Sequence, residues 1–421
     1  MKIFVIVVFL LTYAGIVLFN RKINPLLSVF TGVTVLLISQ SIGIKEAFLS
    51  IDLNVLGIFL GTMVLSVLFT HSNVPGFLAV RLVGRSKNVG MAILLVSLLS
   101  SFISSFTENV AVVLIVAPIA FEIAKKLKAN PIPFLISIAI SSNLQGSATM
   151  IGDPPSIILA MAHRMNFMDF FWMKGRPGIA FAVEAGAIAS FIVLYLLFRS
   201  FKQNVQKMEE VKVKTWVPSI LMFLMIFSLG ASSFIANKPY YAMALICLFF
   251  GGAGVIWQRI FAKKEFSIVK NIDWRSFFFL VGVFILIGVL SHVGVIEDIA
   301  GFVSGVTGGN VFLTFTLIVW GSVLFSAILD NIPYVIAMIP AVKILAENAN
   351  VNPELFLFGL LIGATLGGNI TPIGASANIV SMGMLRERGY NASFKDFLKI
   401  GLPFTLSAVS VAYLFLWFVW R

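Results

Sequence analysis

Charge is scarce in this chain, and the scarcity excludes a soluble fold. Only 11% of its 421 residues are Asp, Glu, Lys or Arg, while 59% are hydrophobic. Soluble domains carry about 25% charged residues. Cysteine occurs once, at Cys247 inside an apolar run, which excludes an intramolecular disulfide framework and a multi-cysteine metal site. There is no His-Glu-x-x-His pair, no Ser/Lys signature and no Gly-x-Ser-x-Gly, so no intramembrane enzyme is expected. A nucleotide-binding loop is missing too, and any ATP-driven coupling would need a separate ATPase subunit. Low-complexity tracts and soluble domains are also missing.

What the chain has in abundance is uncharged runs long enough to cross a bilayer, which needs roughly 20 mainly apolar residues. They run from Ile3 to Phe19, Ile23 to Ile44, Leu53 to Val80, Thr215 to Asn237 and Ile400 to Trp420. The expected fold class is an all-α, multi-pass integral membrane protein. Met1 to Phe19 has a Lys before its apolar stretch, like a signal peptide, but lacks a convincing small-residue cleavage site, so it reads as the first helix. Lys and Arg outnumber Asp and Glu by 30 to 18. The basic residues sit in short loops between apolar runs, where they orient helices in a bilayer. The partner they indicate is lipid, and no nucleic acid is expected.

The chain repeats itself. At an offset of 222 residues Ser104 matches Ser326, Asn109 matches Asn331, Pro118 matches Pro340 and Pro131 matches Pro353. The same offset pairs Gly146 with Gly368, Thr149 with Thr371, Ile151 with Ile373 and Gly152 with Gly374. Earlier, an offset of 221 pairs Asp52 with Asp273, Gly61 with Gly282 and His71 with His292. Two apolar sequences match often by chance, but not on Pro, Asn, Gly and His in one register.

The repeat predicts two units, 1–200 and 216–421, joined by a cytoplasmic linker at 201–215. Each holds three plain helices (3–19, 25–43 and 53–70 in the first), two shorter arms (89–106 and 110–124), a long interrupted segment (132–162) and a closing helix (178–198). The second series is 217–236, 240–258, 276–291, 310–328 with 332–346, 354–384 and 400–420. Whether the arms form a re-entrant hairpin or two full crossings, each unit makes an odd number of net crossings, so the units are expected to be inverted. The arrangement is then about ten transmembrane helices, two re-entrant hairpins and two broken helices. Loops on the face opposite the N-terminus carry 22 Lys and Arg, and those on the N-terminal face carry 7. The positive-inside rule therefore places both termini outside, in the inner membrane if the source is prokaryotic. The linker's charges, including Glu209 and Glu210, read as a solvated run.

Inverted repeats with interrupted helices point to alternating access, with solute bound where the breaks meet. Unwound backbone deep in a bilayer is tolerated only where protein, water or ions satisfy its N–H and C=O groups. The arms meet at Thr107-Glu108-Asn109 and, in the repeat, at Leu329-Asp330-Asn331. Each acidic residue could simply cap the following helix, as Pro333 in a first turn would suit. A carboxylate at each of two equivalent positions inside the membrane also suits a cation or proton site. The interrupted segments read Gly146-Ser147-Ala148-Thr149-Met150-Ile151-Gly152-Asp153-Pro154-Pro155 and Gly368-Asn369-Ile370-Thr371-Pro372-Ile373-Gly374-Ala375-Ser376-Ala377-Asn378. Glycine permits unusual backbone, hydroxyls and amides supply oxygen ligands, and proline stops the helix. Asp153 also suits an N-cap before Pro154, and Ala375 replaces it in the second unit.

Four stretches, SSFTENVAVVLIVAP, GSATMIGDPPSIIL, LDNIPYVIAMIP and GGNITPIGASANIVSMG, resemble the ion transporter superfamily. The likeness is to its citrate-transporter-like group, which includes arsenite permeases, D-type sodium–proton antiporters, the P-protein and divalent anion–sodium symporters. The last two stretches look most like the P-protein and arsenite-permease branch. The resemblance implies a scaffold domain and a moving transport domain, in a homodimer. It also implies two pseudo-symmetric cation sites flanking one substrate site. By position, Thr107, Glu108, Asn109, Gly146, Ser147 and Thr149 would line the first. Asp330, Asn331, Asn369, Thr371, Gly374 and Ser376 would line the second, with Asp153 and Asn378 nearby. No cofactor is implied beyond sodium ions or protons as coupling ions, a sodium site coming from these same residues.

The hairpin tips of sodium–dicarboxylate symporters read Ser-Asn-Thr, whereas here the equivalents are Glu108-Asn109-Val110 and Asp330-Asn331-Ile332. The added negative charge speaks against citrate or succinate. The expected function is secondary active transport of a small inorganic ion or oxyanion, arsenite-permease-like, coupled to a sodium or proton gradient. Sodium–proton antiport is the alternative, ahead of sodium-coupled carboxylate transport. A passive channel would need an open polar path, which two isolated polar clusters do not provide. His71 and His292 fall at helix ends, Glu184 and Lys343 are expected to reach water or the interface, and Gly32, Gly57 and Gly61 suit close helix contacts.

Overall fold

Aspartate, asparagine and proline at the loop ends decide where the helices of this protein begin. The computed structural model describes residues 1–18, 24–203, 211–261 and 267–421. Ten helices occupy the first stretch: α1 (Lys2–Leu18), α2 (Pro25–Ile38), α3 (Ile44–Leu49), α4 (Leu53–His71), α5 (Val74–Val83), α6 (Val89–Ser104), α7 (Asn109–Lys126), α8 (Ile132–Gly146), α9 (Pro154–Ala162) and α10 (Ile179–Phe198). Ten more follow in the same order of long and short: α11 (Val217–Ser232), α12 (Ala242–Phe261), α13 (Ile268–Asn271), α14 (Trp274–His292), α15 (Val295–Thr307), α16 (Val311–Ser326), α17 (Asn331–Asn348), α18 (Pro353–Gly367), α19 (Ser376–Glu387) and α20 (Phe394–Trp420).

Residues matched in the sequence occupy matching places. Asp52 caps α4 by accepting from the N–H groups of Asn54 and Val55 at 2.9 and 3.2 Å. Asp273 caps α14 by accepting from Ser276 N–H at 3.0 Å. His71 and His292 are the last residues of these two helices. Pro118 and Pro340 lie inside α7 and α17.

Helices α4, α10, α12, α14 and α20, together with α18 and its following turn, are each long and apolar enough to cross a membrane. At 1.5 Å per residue, 18 to 20 residues span about 30 Å, the thickness of the hydrocarbon core. Large apolar side chains such as Ile188, Phe223, Phe249 and Leu324 face outward, as lipid contact requires.

Two packing groups emerge. In one, α4 lies on α12 and α2 on α14; in the other, α10 lies on α20, α6 on α8 and α16 on α18. Glycines set the close approaches. A Cβ on Gly61 would collide with the backbone of Cys247, and one on Gly57 would lie 3.0 Å from Ala244 Cβ. Gly282, the counterpart of Gly61, meets Val29 on α2, and Gly32 meets Thr12.

The two interrupted segments run antiparallel. Ser381 on α19 donates to the Leu135 carbonyl at 2.9 Å, near the start of α8. In the middle, Asn143 meets Asn369. At the far end His163, just past α9, lies 3.0 Å from Glu354 in the first turn of α18.

Several boundaries differ from the sequence reading. The helix expected at 25–43 stops at Ile38, because Gln40 takes a left-handed conformation (φ 55°). Helices α5 and α15 fall between the expected segments, α5 between 53–70 and 89–106 and α15 between 276–291 and 310–328. They arise where Asn73 and Gly294 adopt φ of 62° and 77° and turn the chain just after α4 and α14. Residues 163–177 hold a 3-10 turn (Phe167–Phe170) and a two-stranded ribbon, β1 (Trp172–Met173) with β2 (Arg176–Pro177). The helix expected at 400–420 starts earlier, at Phe394, with Ser393 and Asp396 forming a capping box. Of the linker at 201–215, residues 204–210 lie outside the described residues, as do residue 19 and Glu209-Glu210. The linker's flanks are held: Val89 N–H donates to Gln203 at 3.0 Å, and Lys214 N–H donates to Ser72 at 3.0 Å.

Candidate functional site

The turn between α6 and α7 sits against the break between α8 and α9. Ser104 Oγ donates to Asn109 Oδ1 at 2.7 Å across the turn. Thr149 Oγ1, in the break, donates to the Ser105 carbonyl. Gly146 faces the Asn109 amide, and only hydrogen fits there. A Cβ on Gly152 would lie 2.8 Å from the Ser104 carbonyl oxygen and closer still to that of Gly146. Two carbonyls thus crowd one glycine. Asp153 is fully buried, and its Oδ1 caps α9 by accepting from Ser156 N–H at 2.9 Å. Its Oδ2 has no protein hydrogen-bond partner.

The second turn, between α16 and α17, repeats the threonine bond and the crowded glycine, although Ser326 donates to the Ala364 carbonyl instead of to Asn331. Thr371 Oγ1 donates to the Ala327 carbonyl, and Ala327 is the 222-residue counterpart of Ser105. A Cβ on Gly374 would lie 2.6 Å from the Gly368 carbonyl oxygen and 2.8 Å from that of Ser326. Asp330 caps α17 by accepting from Ile332 N–H at 3.3 Å, and accepts from Ser376 Oγ at 3.1 Å. Glu108 differs: its carboxylate lies near the Ala111 N–H but makes no capping hydrogen bond. Capping accounts for part of Asp330's bonding, and Glu108, at the N-cap of α7, faces the N–H groups of that helix's first turn.

Both acidic residues are half-buried, whereas Asn109 and Asn331 beside them are buried. The first break is enclosed, with Ser147 and Thr149 almost inaccessible; in the second, Thr371 is half-buried and Ser376 exposed. Glu108 lies within electrostatic reach of Asp330, Asp153 and Asp273, and Asp330 within that of Tyr13 on α1. Thr107 touches Met222 on α11, its hydroxyl 4.0 Å from the sulfur. The first tip therefore meets the first helix of the opposite stretch. Among the described residues no group of three or more His, Cys, Asp and Glu could hold a metal ion. Any cation here would be held by carbonyls, amides and hydroxyls around single carboxylates, which are hard oxygen ligands.

The two breaks are joined by asparagines. Asn143 Nδ2 lies 2.8 Å from Asn369 Oδ1 and 2.9 Å from Asn378 Oδ1. Asn369 Nδ2 donates to the Ile140 carbonyl at 3.2 Å, and Asn378 Nδ2 to the carbonyls of Gly368 and Thr371 at 2.9 and 3.0 Å. The sequence reading placed Asn369 and Asn378 at the site but missed Asn143, whose helical surroundings carry no break. It also missed the carbonyls of Ser105 and Ala327, although Ser104 and Ser326 had marked both turns. Ser147 is turned elsewhere, donating to Leu144 of its own helix at 2.8 Å. Lys343 ends on the Ala162 carbonyl at 2.6 Å, closing α9. At that same helix end Tyr240 lies 3.1 Å from Asp52 Oδ2 and 3.2 Å from the Met161 carbonyl. Burial first, and then the Asp52 carboxylate, push its phenol up to about 12, so it stays a donor at physiological pH.

The family model described as citrate transporter matches residues 13–363. The chain belongs to the citrate transporter family. It is therefore a membrane transporter and not an enzyme. Among curated proteins it is 30% identical to Uncharacterized transporter Rv2685 of Mycobacterium tuberculosis, covering 99% of this chain and 98% of that protein. It is 25% identical to the P protein of Mus musculus, over 87% of this chain and 54% of the mouse protein. Two solved structures share the fold of this family member. The YdaH transporter of Alcanivorax borkumensis aligns over 99% of this chain and 97% of its own, with a TM-score of 0.57 and 13% identity. MtrF of Neisseria gonorrhoeae, described within a class of antimetabolite efflux pumps, aligns over 92% and 84% with a TM-score of 0.57 and 14% identity.

Proposed function

We propose that this chain is a secondary active transporter moving a small inorganic ion or oxyanion, in the manner of an arsenite permease, coupled to a sodium or proton gradient by alternating access. The observation that carries the reading is the pair of acidic tips. Glu108 and Asp330 each stand beside a buried asparagine, at turns whose carbonyls face the break of the same stretch. A carboxylate with oxygen ligands around it can take a hard cation or a proton. The two stretches act as inverted repeats, 1–200 and 216–421; the antiparallel run of the two broken segments supports this. Unequal exposure of two otherwise matching breaks is what a state open to one side would give. The helices around α4 and α12 serve as scaffold and those around α10 and α20 as the moving part, in a homodimer.

Sodium–proton antiport is the second reading, favoured by the carboxylate at each tip, since each could exchange one ion for the other. Citrate and other carboxylates fit less well, because both tips already bear negative charge. Currents recorded on solid-supported membranes decide the matter. Purified protein would be challenged with sodium, lithium, arsenite, antimonite and citrate at two pH values. Saturable, gradient-driven flux with counterflow for an inorganic solute supports the proposal. Flux that neither saturates nor shows counterflow would indicate a channel and overturn it.

A further inference from the structure

A cavity lies between α6, α10 and the outer side of the first break, where Ser105 and Thr149 form part of its wall. Its volume is about 440 Å³, within the range of small-molecule pockets, roughly 300–1,000 Å³. Its walls include the rings of Phe102, Phe106, Phe171 and Phe181, and it holds one carboxylate, Glu184, beside Gln145. Glu184 is exposed, and Phe102 and Phe181 are 63% and 46% accessible, so the cavity opens at the surface of the helix bundle. Ile188 on the same face of α10 points outward, which makes the entrance lateral, from the bilayer. Gln145 Nε2 donates to Glu184 Oε1, which leaves the other carboxylate oxygen for a ligand.

The fold does not require this carboxylate–amide pair. At the 222-residue offset the counterparts of Gln145 and Glu184 are Gly367 and Leu406, and those of Phe102, Phe106 and Phe181 are Leu324, Ile328 and Pro403. A carboxylate on the lipid side of a helix is costly unless something pairs with it. Aromatic faces attract cations, ammonium ions above all.

We propose that this cavity is a binding site for an amphiphilic ammonium ion, a molecule with one hydrophobic chain and a cationic amine, which enters from the bilayer. Its cation sits between Glu184 and the phenylalanine rings, and its chain leaves along α10 past Ile188. The cavity shares the wall formed by Ser105 and Thr149 with the transport site proposed above, but the ammonium site rests on Glu184 and the phenylalanine rings and not on the tips.

The test uses the full chain in phosphatidylglycerol nanodiscs, with empty discs subtracted and size-exclusion profiles confirming folded protein. Dodecyltrimethylammonium and dodecanol, matched in chain length, are measured by equilibrium dialysis. Saturable binding of the ammonium probe is expected, with about tenfold loss in Glu184→Gln and a smaller loss in Phe181→Leu. Dodecanol binding should stay the same in Glu184→Gln. Ile188→Trp, which crowds the opening without touching the charge, should block the ammonium probe. Equal binding of both probes, unchanged in Glu184→Gln, would make the cavity an acyl-chain slot and overturn the proposal.

Discussion

Asn143 on α8 reaches Asn369 in the opposite break at 2.8 Å, and Asn369 answers with a hydrogen bond to the Ile140 carbonyl one turn earlier. All these groups are buried. The two broken segments are thus locked by amides whose orientation the backbone fixes. Asn378 is set by two carbonyls and also turns its oxygen to Asn143. In Asn143→Ala, two buried amide oxygens lose their donor, and stability should fall by about 2–4 kcal/mol. Asn143→Asp should do worse, because it presents an acceptor to two acceptors. Apparent melting temperatures in detergent check the order: wild type, then Ala, then Asp.

Thr149 and Thr371 make the same bond in the two stretches, to Ser105 and Ala327. Replacement by valine leaves each carbonyl without its hydroxyl donor. Thr149 is 3% accessible and Thr371 is half-buried, so water can replace only the second bond. Thr149→Val should cost about 1–3 kcal/mol and Thr371→Val clearly less. Equal losses in melting experiments would mean that both breaks are equally closed.

Gly61 and Gly252 separate close packing from mere helical glycine. A Cβ at Gly61 runs into the Cys247 backbone, whereas nothing lies within 4 Å of one at Gly252. Gly61→Ala should prise α4 from α12 and cost about 1–3 kcal/mol or more, as overpacking does. Gly252→Ala should be neutral or stabilising by up to about 1 kcal/mol, since alanine favours helix. Thermal unfolding of the two variants side by side tests this.

Much of the fold could be read from the sequence because its punctuation is polar. Asp52 and Asp273 start helices, His71 and His292 end them, and the Gly-rich breaks fall where expected. The short helices α5 and α15 were hidden, since the turns before them depend on one left-handed residue each, Asn73 and Gly294, inside otherwise apolar runs. The acidic tips and both breaks were legible from their repetition. Asn143, Gln145 and the turn carbonyls were not, because a side chain in an unbroken helix shows its partner only once the opposite segment is in place.

The loop charges predict which face is outside, and surface labelling can read it. In a Cys247→Ser background, single cysteines at Lys45 and Asn237 should react with an impermeant maleimide added to intact cells. Cysteines at Lys87 and Lys399 should react only after lysis. All four positions are exposed. The reverse pattern would invert the orientation, and mixed reactivity within either pair would contradict the inverted repeats.

The central claim is that the carboxylates at the two tips carry the coupling ion or proton. Its most direct test is flux into proteoliposomes by Glu108→Gln and Asp330→Asn, with folding verified by size exclusion. Each variant keeps the shape of the side chain while removing its charge and turning one acceptor oxygen into an amide donor. Losses of about tenfold or more in both, with sodium or pH dependence flattened, are expected; wild-type turnover in both would show that the tips only shape the helix ends and would contradict the account.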